Sequence, residues 1–247
     1  MNPWTLFKRV FMTFWYWHVR QLNVRWPSIT LDGKTLVVFP TVYKPLENEQ
    51  SCVDYCRKDD RVLDLGCGSG VNAVFAAGVA REVVAVDISP AAINNTRENC
   101  RLFGRDNVTV AHSDMFSNVE GKFNLIFANP PYIAADFADS EEQFATSTRY
   151  LPILFAQVNN HLEKDGRLIV QYPGWFGGLI KKLAAANGLE VVKIQRMPRK
   201  SLSLLLLSLA YMQVGWRSTL FLIIPRPAAR TVEARPAAER PTPVMAA

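Results

Sequence analysis

Two short blocks of the chain carry residue types at spacings that could do chemistry. The first, Arg61 to Gly70, reads RVLDLGCGSG: an apolar run, Val62 to Leu65, breaks into Gly66, Gly68 and Gly70 just before an Ala/Val-rich segment. Glycines so placed let the backbone turn sharply, admit a ligand close to its N–H groups and launch a helix packed tightly on the preceding strand. That is the build of a nucleotide loop, though the same spacing also occurs in ordinary strand-to-helix turns. The second block, Phe127 to Tyr132, reads FANPPY. Asn129 offers a side-chain carbonyl, and Pro130 and Pro131 lock the backbone so that carbonyls near the strand end point one way. Two such acceptors could hold both hydrogens of a planar NH2 group, leaving the nitrogen electrons free to attack in line. Tyr132 could stack on a flat or a cationic acceptor. The bland alternative is a proline turn with no chemistry.

Residues between the blocks narrow the ligand. A second apolar run, Glu82 to Val86, ends at Asp87, where a ribose would present its paired hydroxyls to a carboxylate that accepts from both. Asp64, directly before the glycines, argues against a dinucleotide: a carboxylate beside a pyrophosphate is repelled, and one beside a sulfonium or ammonium is stabilised. No Walker-type Gly-x-x-x-x-Gly-Lys-Ser/Thr phosphate loop is present.

VLDLGCGSG, VDIS at Val86 to Ser89, SDM at Ser113 to Met115 and NPPY at Asn129 to Tyr132 together resemble the class I methyltransferases that use S-adenosylmethionine (SAM). The resemblance covers roughly residues 40 to 200, with the four motifs in the family's order. It implies an α/β, Rossmann-like fold: a seven-stranded, mostly parallel sheet whose last strand, Ser218 to Ile224, lies antiparallel at the edge. It also implies that Gly66, Cys67, Gly68, Gly70, Asp87 and Ile88 border the SAM, that Asp114 contacts the adenine amino group and that Met115 lies along the ring; Ser113 and Asp114 could equally cap the following turn. TVYKPLENEQ (Thr41 to Gln50) is partly similar to the segment bordering the SAM site in glutamine methyltransferases, which makes Tyr43 and Glu47 candidates there. In the NPPY families the acceptor is a protein glutamine or the amino group of a nucleic-acid adenine or guanine. Tyr172 ends a strand at the same edge as Asn129 and is a candidate to line the acceptor side.

These residues must be held by alternating strands and helices, which implies a parallel sheet covered on both faces. Ser89-Pro90 starts a helix that Gly104 ends. Further strands are expected at Val108 to Met115, at Phe123 onward, at Gly166 to Tyr172 and at Glu190 to Arg196, with helices through Leu154 to Leu162 and Trp175 to Ala186. Ahead of this unit, Trp4, Phe7, Phe11, Phe14 and Trp15 recur at helical spacing between Met1 and about Trp26. This aromatic helix packs on the core or on a second copy in a homodimer, forms a lid over the SAM pocket or a binding wall for an apolar substrate, or lies on a membrane surface. It lacks a small-residue cleavage site, so it is not read as a signal peptide. Asp32-Gly33 is expected to turn a small hairpin. Leu202 to Met212 is too short to span a bilayer and is expected as a packed helix. The polar stretch from Ile133 to Thr148, with Asp136, Asp139, Glu141 and Glu142, is either a flap over the acceptor pocket or a solvated loop. The tail from Pro225 is too rich in Pro, Ala, Arg and Glu to build a core and is expected to be disordered. The expected organisation is a cap at 1–40, a SAM-binding domain at 41–225 and a tail at 226–247.

The 247 residues, 49% hydrophobic, can bury one sizeable core. A net charge of +6 permits an RNA partner, but Lys and Arg are scattered rather than run together, which favours a small molecule or a peptide segment over nucleic acid. Cys52, Cys56, Cys67 and Cys100 form no CxxC pair and are expected as reduced thiols of a cytoplasmic protein, without a metal site. The expected activity is methyl transfer to an amino or amide nitrogen, with Asn129 and Pro130 holding the acceptor. On the same scaffold, SAM itself could instead be the substrate and be cyclised to azetidine-2-carboxylate and methylthioadenosine. A non-catalytic SAM-binding partner subunit is the third alternative.

Overall fold

The computed structural model describes residues 3–133, 147–213 and 218–226. Most of the polar stretch from Ile133 and nearly all of the tail lie outside these residues.

Five parallel strands, β3 (Arg61–Leu65), β4 (Glu82–Asp87), β5 (Val108–His112), β6 (Phe123–Ala128) and β7 (Leu162–Pro173), form the body of a seven-stranded sheet. β8 (Leu189–Arg196) and β9 (Ser218–Pro225) complete it in the order β5-β4-β3-β6-β7-β9-β8. β9 runs antiparallel as expected, but it lies between β7 and β8 rather than at the edge. Its composition explains the position, since Leu220, Phe221 and Ile223 are all buried, as an inner strand requires.

Strand alternation divides the core. Leu63 and Leu65 of β3 and Ile126 and Ala128 of β6 face one cluster, completed by Leu154, Phe155 and Val158 of α4 (Tyr150–His161) and Ile180 and Ala184 of α5 (Gly177–Ala186). Val62, Leu125 and Phe127 face the other way, onto the alanines of α2 (Val71–Ala76). A period of two therefore puts the Asp64 side chain on the α2 face, with consequences for its role. α3 (Pro90–Leu102) starts as expected, with Ser89 Oγ accepting from the Ala92 N–H at 3.4 Å.

A third cluster joins the N-terminal elements to this body. α1 (Pro3–Arg25) buries Met12, Trp15 and Val19 against the hairpin β1 (Ser28–Leu31) and β2 (Lys34–Val37), α2, α3 and α6 (Leu202–Ala210). The hairpin turns at Asp32 and Gly33, with φ of 45° and 75°, the two positive values a tight two-residue turn requires. α3 fastens the hairpin: Asn99 Oδ1 accepts from Val37 N at 2.8 Å and Asn95 Oδ1 from Phe39 N at 2.7 Å. Asn95 and Asn99 are four apart, on one face of the helix, and fully buried. Among the described residues no helix is long and apolar enough to cross a membrane.

Candidate active site

A cavity of about 530 Å³ opens where β3, β4 and β6 end. Ligands of open α/β sheets bind outside the carboxyl ends of the strands, and the glycine loop, the end of β4 and the NPPY corner all arrive there. Gly66, Cys67, Gly68, Asp87, Ile88, Asp114, Met115, Asn129, Pro130, Tyr132 and Tyr43 all line it.

The loop is held from behind. Gly68 has φ of 54° and open space where a Cβ would project. Its N–H donates to Asp87 Oδ2 at 3.0 Å, and its carbonyl accepts from Thr96 Oγ1 at 3.1 Å. Asn99 Nδ2 donates to the neighbouring Ser69 carbonyl at 2.8 Å. The sequence signal of Thr96 and Asn99 is faint: three polar residues, with Asn95, on the inward face of α3. Asp87 Oδ1 also accepts from Ser89 N at 2.9 Å. Burial pushes this carboxyl above its usual range while these N–H groups pull it back. Asp87 stands on the cavity wall with both oxygens turned by these bonds.

Four candidates stand outside the cavity wall. Asp64 turns under the loop, where Oδ2 accepts from Ala73 N at 3.1 Å and Oδ1 from Asn72 Nδ2 at 3.5 Å. Strand alternation sends it to the α2 side, so it fixes the start of that helix, and burial raises its carboxyl to about 7. Gly70 packs on α3: a Cβ there would meet Thr96 Cγ2 at 2.9 Å. Glu47 is 2% exposed, ion-paired with Lys200, and accepts from Ser218 N at 3.2 Å. It ties the segment before the loop to α6 and β9. Tyr172 sits one layer behind the corner, its hydroxyl 3.5 Å from the Pro131 carbonyl and its ring 5.6 Å from that of Tyr132.

At the corner, Tyr132 Oη donates to Asn129 Oδ1 at 2.5 Å. Burial, and then the nearby Glu49 carboxyl, push the Tyr132 hydroxyl well above its usual range, so it stays a donor. Burial, and then Tyr132 beside it, push the Tyr43 hydroxyl up as well; it donates to Gln213 Oε1 at 3.3 Å.

Two lining groups carry no local sequence signal, and a third belongs to the segment from Thr41 already expected beside the SAM site. Tyr150, at the start of α4, donates to the Leu65 carbonyl at 2.6 Å and lies over Gly66, where a Cβ would approach its hydroxyl to 3.4 Å. Arg149 reaches Asp114 Oδ2 at 3.3 Å across the mouth. Thr41 and Val42 belong to a segment that α1 clamps, since Asn23 Nδ2 donates to the Val42 carbonyl at 2.9 Å and to those of Phe39 and Pro40 at 3.1 Å. Among the described residues, none of α1 lines the cavity.

The donor set fits a nucleoside with a cationic centre. A left-handed glycine loop opens to the cavity, two carboxylates stand on its wall, and Met115 supplies apolar surface. Residues 50–172 match the methyltransferase small domain family. Along 165 residues the chain is 33% identical to a protein of Methanocaldococcus jannaschii provisionally named a protein N5-glutamine methyltransferase, covering 64% of this chain and 79% of that one. It is 30% identical over 155 residues to the ribosomal RNA small subunit methyltransferase C of Actinobacillus pleuropneumoniae, covering 58% of this chain and 44% of the relative. In fold it resembles the ribosomal protein L11 methylase of Lactobacillus delbrueckii subsp. bulgaricus, with a TM-score of 0.53 at 24% identity, over 73% of this chain and 78% of that one. Sheet topology, glycine loop and sequence relationship converge: the chain belongs to the class I SAM-dependent methyltransferases.

Proposed function

We propose that the protein transfers a methyl group from SAM to an amino or amide nitrogen of a small molecule or of a peptide or protein side chain. The observation that carries this is the shared cavity: Asn129 and Pro130 line the same space as Gly66, Gly68 and Asp87. An acceptor held at the corner would thus face a donor held by the loop.

Bound SAM supplies an electrophilic methyl carbon on a cationic sulfur. Asp87 accepts from the ribose hydroxyls, the backbone around Gly66 and Gly68 takes the polar end of the molecule, and Asp114 and Met115 take the adenine. Asn129 Oδ1 and the Pro130 carbonyl accept the two hydrogens of the acceptor nitrogen, so its electrons point into the cavity. Tyr132 fixes the plane of the Asn129 amide while leaving that oxygen a second lone pair. No histidine lines the cavity, so the rate arises from alignment rather than from a strong base, and the spent proton leaves to water. An amide acceptor agrees with the name of the glutamine methyltransferase relative.

The test is an incubation of the purified chain with SAM and a panel of peptides, amides and nucleosides, read by mass spectrometry. S-adenosylhomocysteine formed only with a nitrogenous acceptor supports the proposal, and Asn129→Ala should cut it about 100-fold while SAM affinity stays near the parent value. Full turnover by Asn129→Ala would remove the role of the corner. Methylthioadenosine from SAM alone would show chemistry on the donor itself and replace the proposal.

A further inference from the structure

α1 is apolar on two opposite faces. One face buries Met12, Trp15 and Val19; the other exposes Leu6, Phe7, Val10, Phe11, Phe14 and Trp17, each 40% to 60% accessible. At helical spacing these six fill one stripe about 140° wide, opposite the buried one. Core packing accounts for the first face and leaves the second uncovered. Its neighbour repeats the feature. α6 meets α1 where Trp15 Nε1 donates to the Tyr211 carbonyl at 3.0 Å and His18 Nε2 lies 2.9 Å from that of Ala210. α6 exposes Leu202, Leu205, Leu206 and Leu209, between 45% and 72% accessible. Exposed apolar surface of this extent marks an interaction site.

Charge identifies the occupant. Residues 3–25 and 199–210, the two helices with the entry to α6, contain six of the 28 lysines and arginines and none of the 22 aspartates and glutamates, and of the six Lys200 is paired with Glu47. Arg9 and Arg20 are exposed at one edge of the α1 stripe, and Arg199 is exposed just before α6. Two copies apposed through this face would bring like charges together, which disfavours self-association. An RNA would require the cations within the contact rather than at its margin. Bulky aromatic and leucine side chains bordered by arginines are the composition of a helix lying in the interface of an anionic bilayer.

We propose that α1 and α6 form a docking face for membranes bearing anionic lipid headgroups, with Phe, Trp and Leu side chains entering the boundary of the acyl region and the flanking arginines meeting the headgroups. α1 also clamps the cavity wall through Asn23, so the docked face and the catalytic pocket share one rigid connection. This holds whatever the methyl acceptor is.

The test is flotation of the full chain with vesicles of phosphatidylcholine alone and of phosphatidylcholine and phosphatidylglycerol in equal parts. The protein should float with the anionic vesicles, stay behind with the neutral ones, and be released by salt. Val10→Gln/Trp17→Gln/Leu206→Gln, all at exposed positions, should weaken binding at least about tenfold at an unchanged melting temperature. Should that variant melt lower, Arg9→Gln/Arg20→Gln serves instead, with a loss on the order of fivefold for each arginine. Failure of the parent protein to float with anionic vesicles overturns the proposal. So does a dimer in solution, or retention of an RNA oligomer without vesicle binding, that the same substitutions abolish.

Discussion

The hydroxyl of Tyr132 donates to the side-chain carbonyl of Asn129 at 2.5 Å, within a single turn of chain. A motif that reads as an acceptor-binding corner is thus also a self-supporting one: the tyrosine holds the amide plane, and Tyr172 holds the tyrosine from behind.

Tyr132→Phe keeps the ring and removes the hydroxyl that donates to Asn129. Asn129 then loses its fixed plane, and kcat/KM for the acceptor should fall tenfold to a hundredfold with SAM affinity changed less than about twofold. Steady-state kinetics beside a calorimetric SAM titration separate the two. Unchanged kcat/KM would mean the hydroxyl does not position the amide.

Gly70 and Gly33 both have positive φ, 77° and 75°, but different surroundings. A Cβ at Gly33 meets nothing within 4 Å, whereas one at Gly70 meets Thr96 at 2.9 Å and the helix backbone at 3.0 Å. Gly33→Ala should therefore cost only the conformational strain, about 1–2 kcal/mol. Gly70→Ala should cost clearly more, at about 2–4 °C of melting temperature per kcal/mol in a chain of this size. Equal melting temperatures would contradict the close packing of the loop on α3.

Glu49 is buried beside Glu47 and the Lys200 ammonium. Burial first, and then Glu47, raise its carboxyl from the usual 4.5 to about 8. The folded protein therefore holds this proton at neutral pH, whereas the unfolded chain releases it. The resulting stability is complete below about pH 4.5 and is lost as pH rises through about 8. Glu49→Gln has no proton to lose, so between pH 6 and 9 its melting temperature should fall less than that of the parent. Asp64, raised to about 7, acts with the same sign in both proteins and cancels. Parallel melting curves across that range would show that Glu49 is already ionised in the fold.

What was legible in the sequence follows from how local each signal is. The glycine loop, Asp87 and the NPPY corner announce themselves because one short stretch must both turn and present its groups. The amphipathic α1 and the Asp32-Gly33 turn are local in the same sense. Tyr150 and Arg149 reach the cavity from a segment with no periodic or turn signature, and only the packing of α4 brings them in. Asp64 and Glu47 stand behind the cavity wall for a related reason. Their residue types suit a cationic ligand, but strand alternation in one case and the Lys200 ammonium in the other turn them into the interior. The inner position of β9 depends on a pairing far along the chain, which its apolar run allows but does not specify.

The central claim is that the glycine-hinged cavity holds SAM with Asp87 on its ribose. Calorimetric titration of SAM into the parent protein and Asp87→Asn, beside Asn129→Ala, tests it most directly. Saturable one-site binding is expected for the parent, at least tenfold weaker in Asp87→Asn, as loss of a charged hydrogen-bond acceptor implies, and nearly intact in Asn129→Ala. A folded parent that gives no binding heat, or an Asp87→Asn protein that binds as tightly as the parent, would contradict the account.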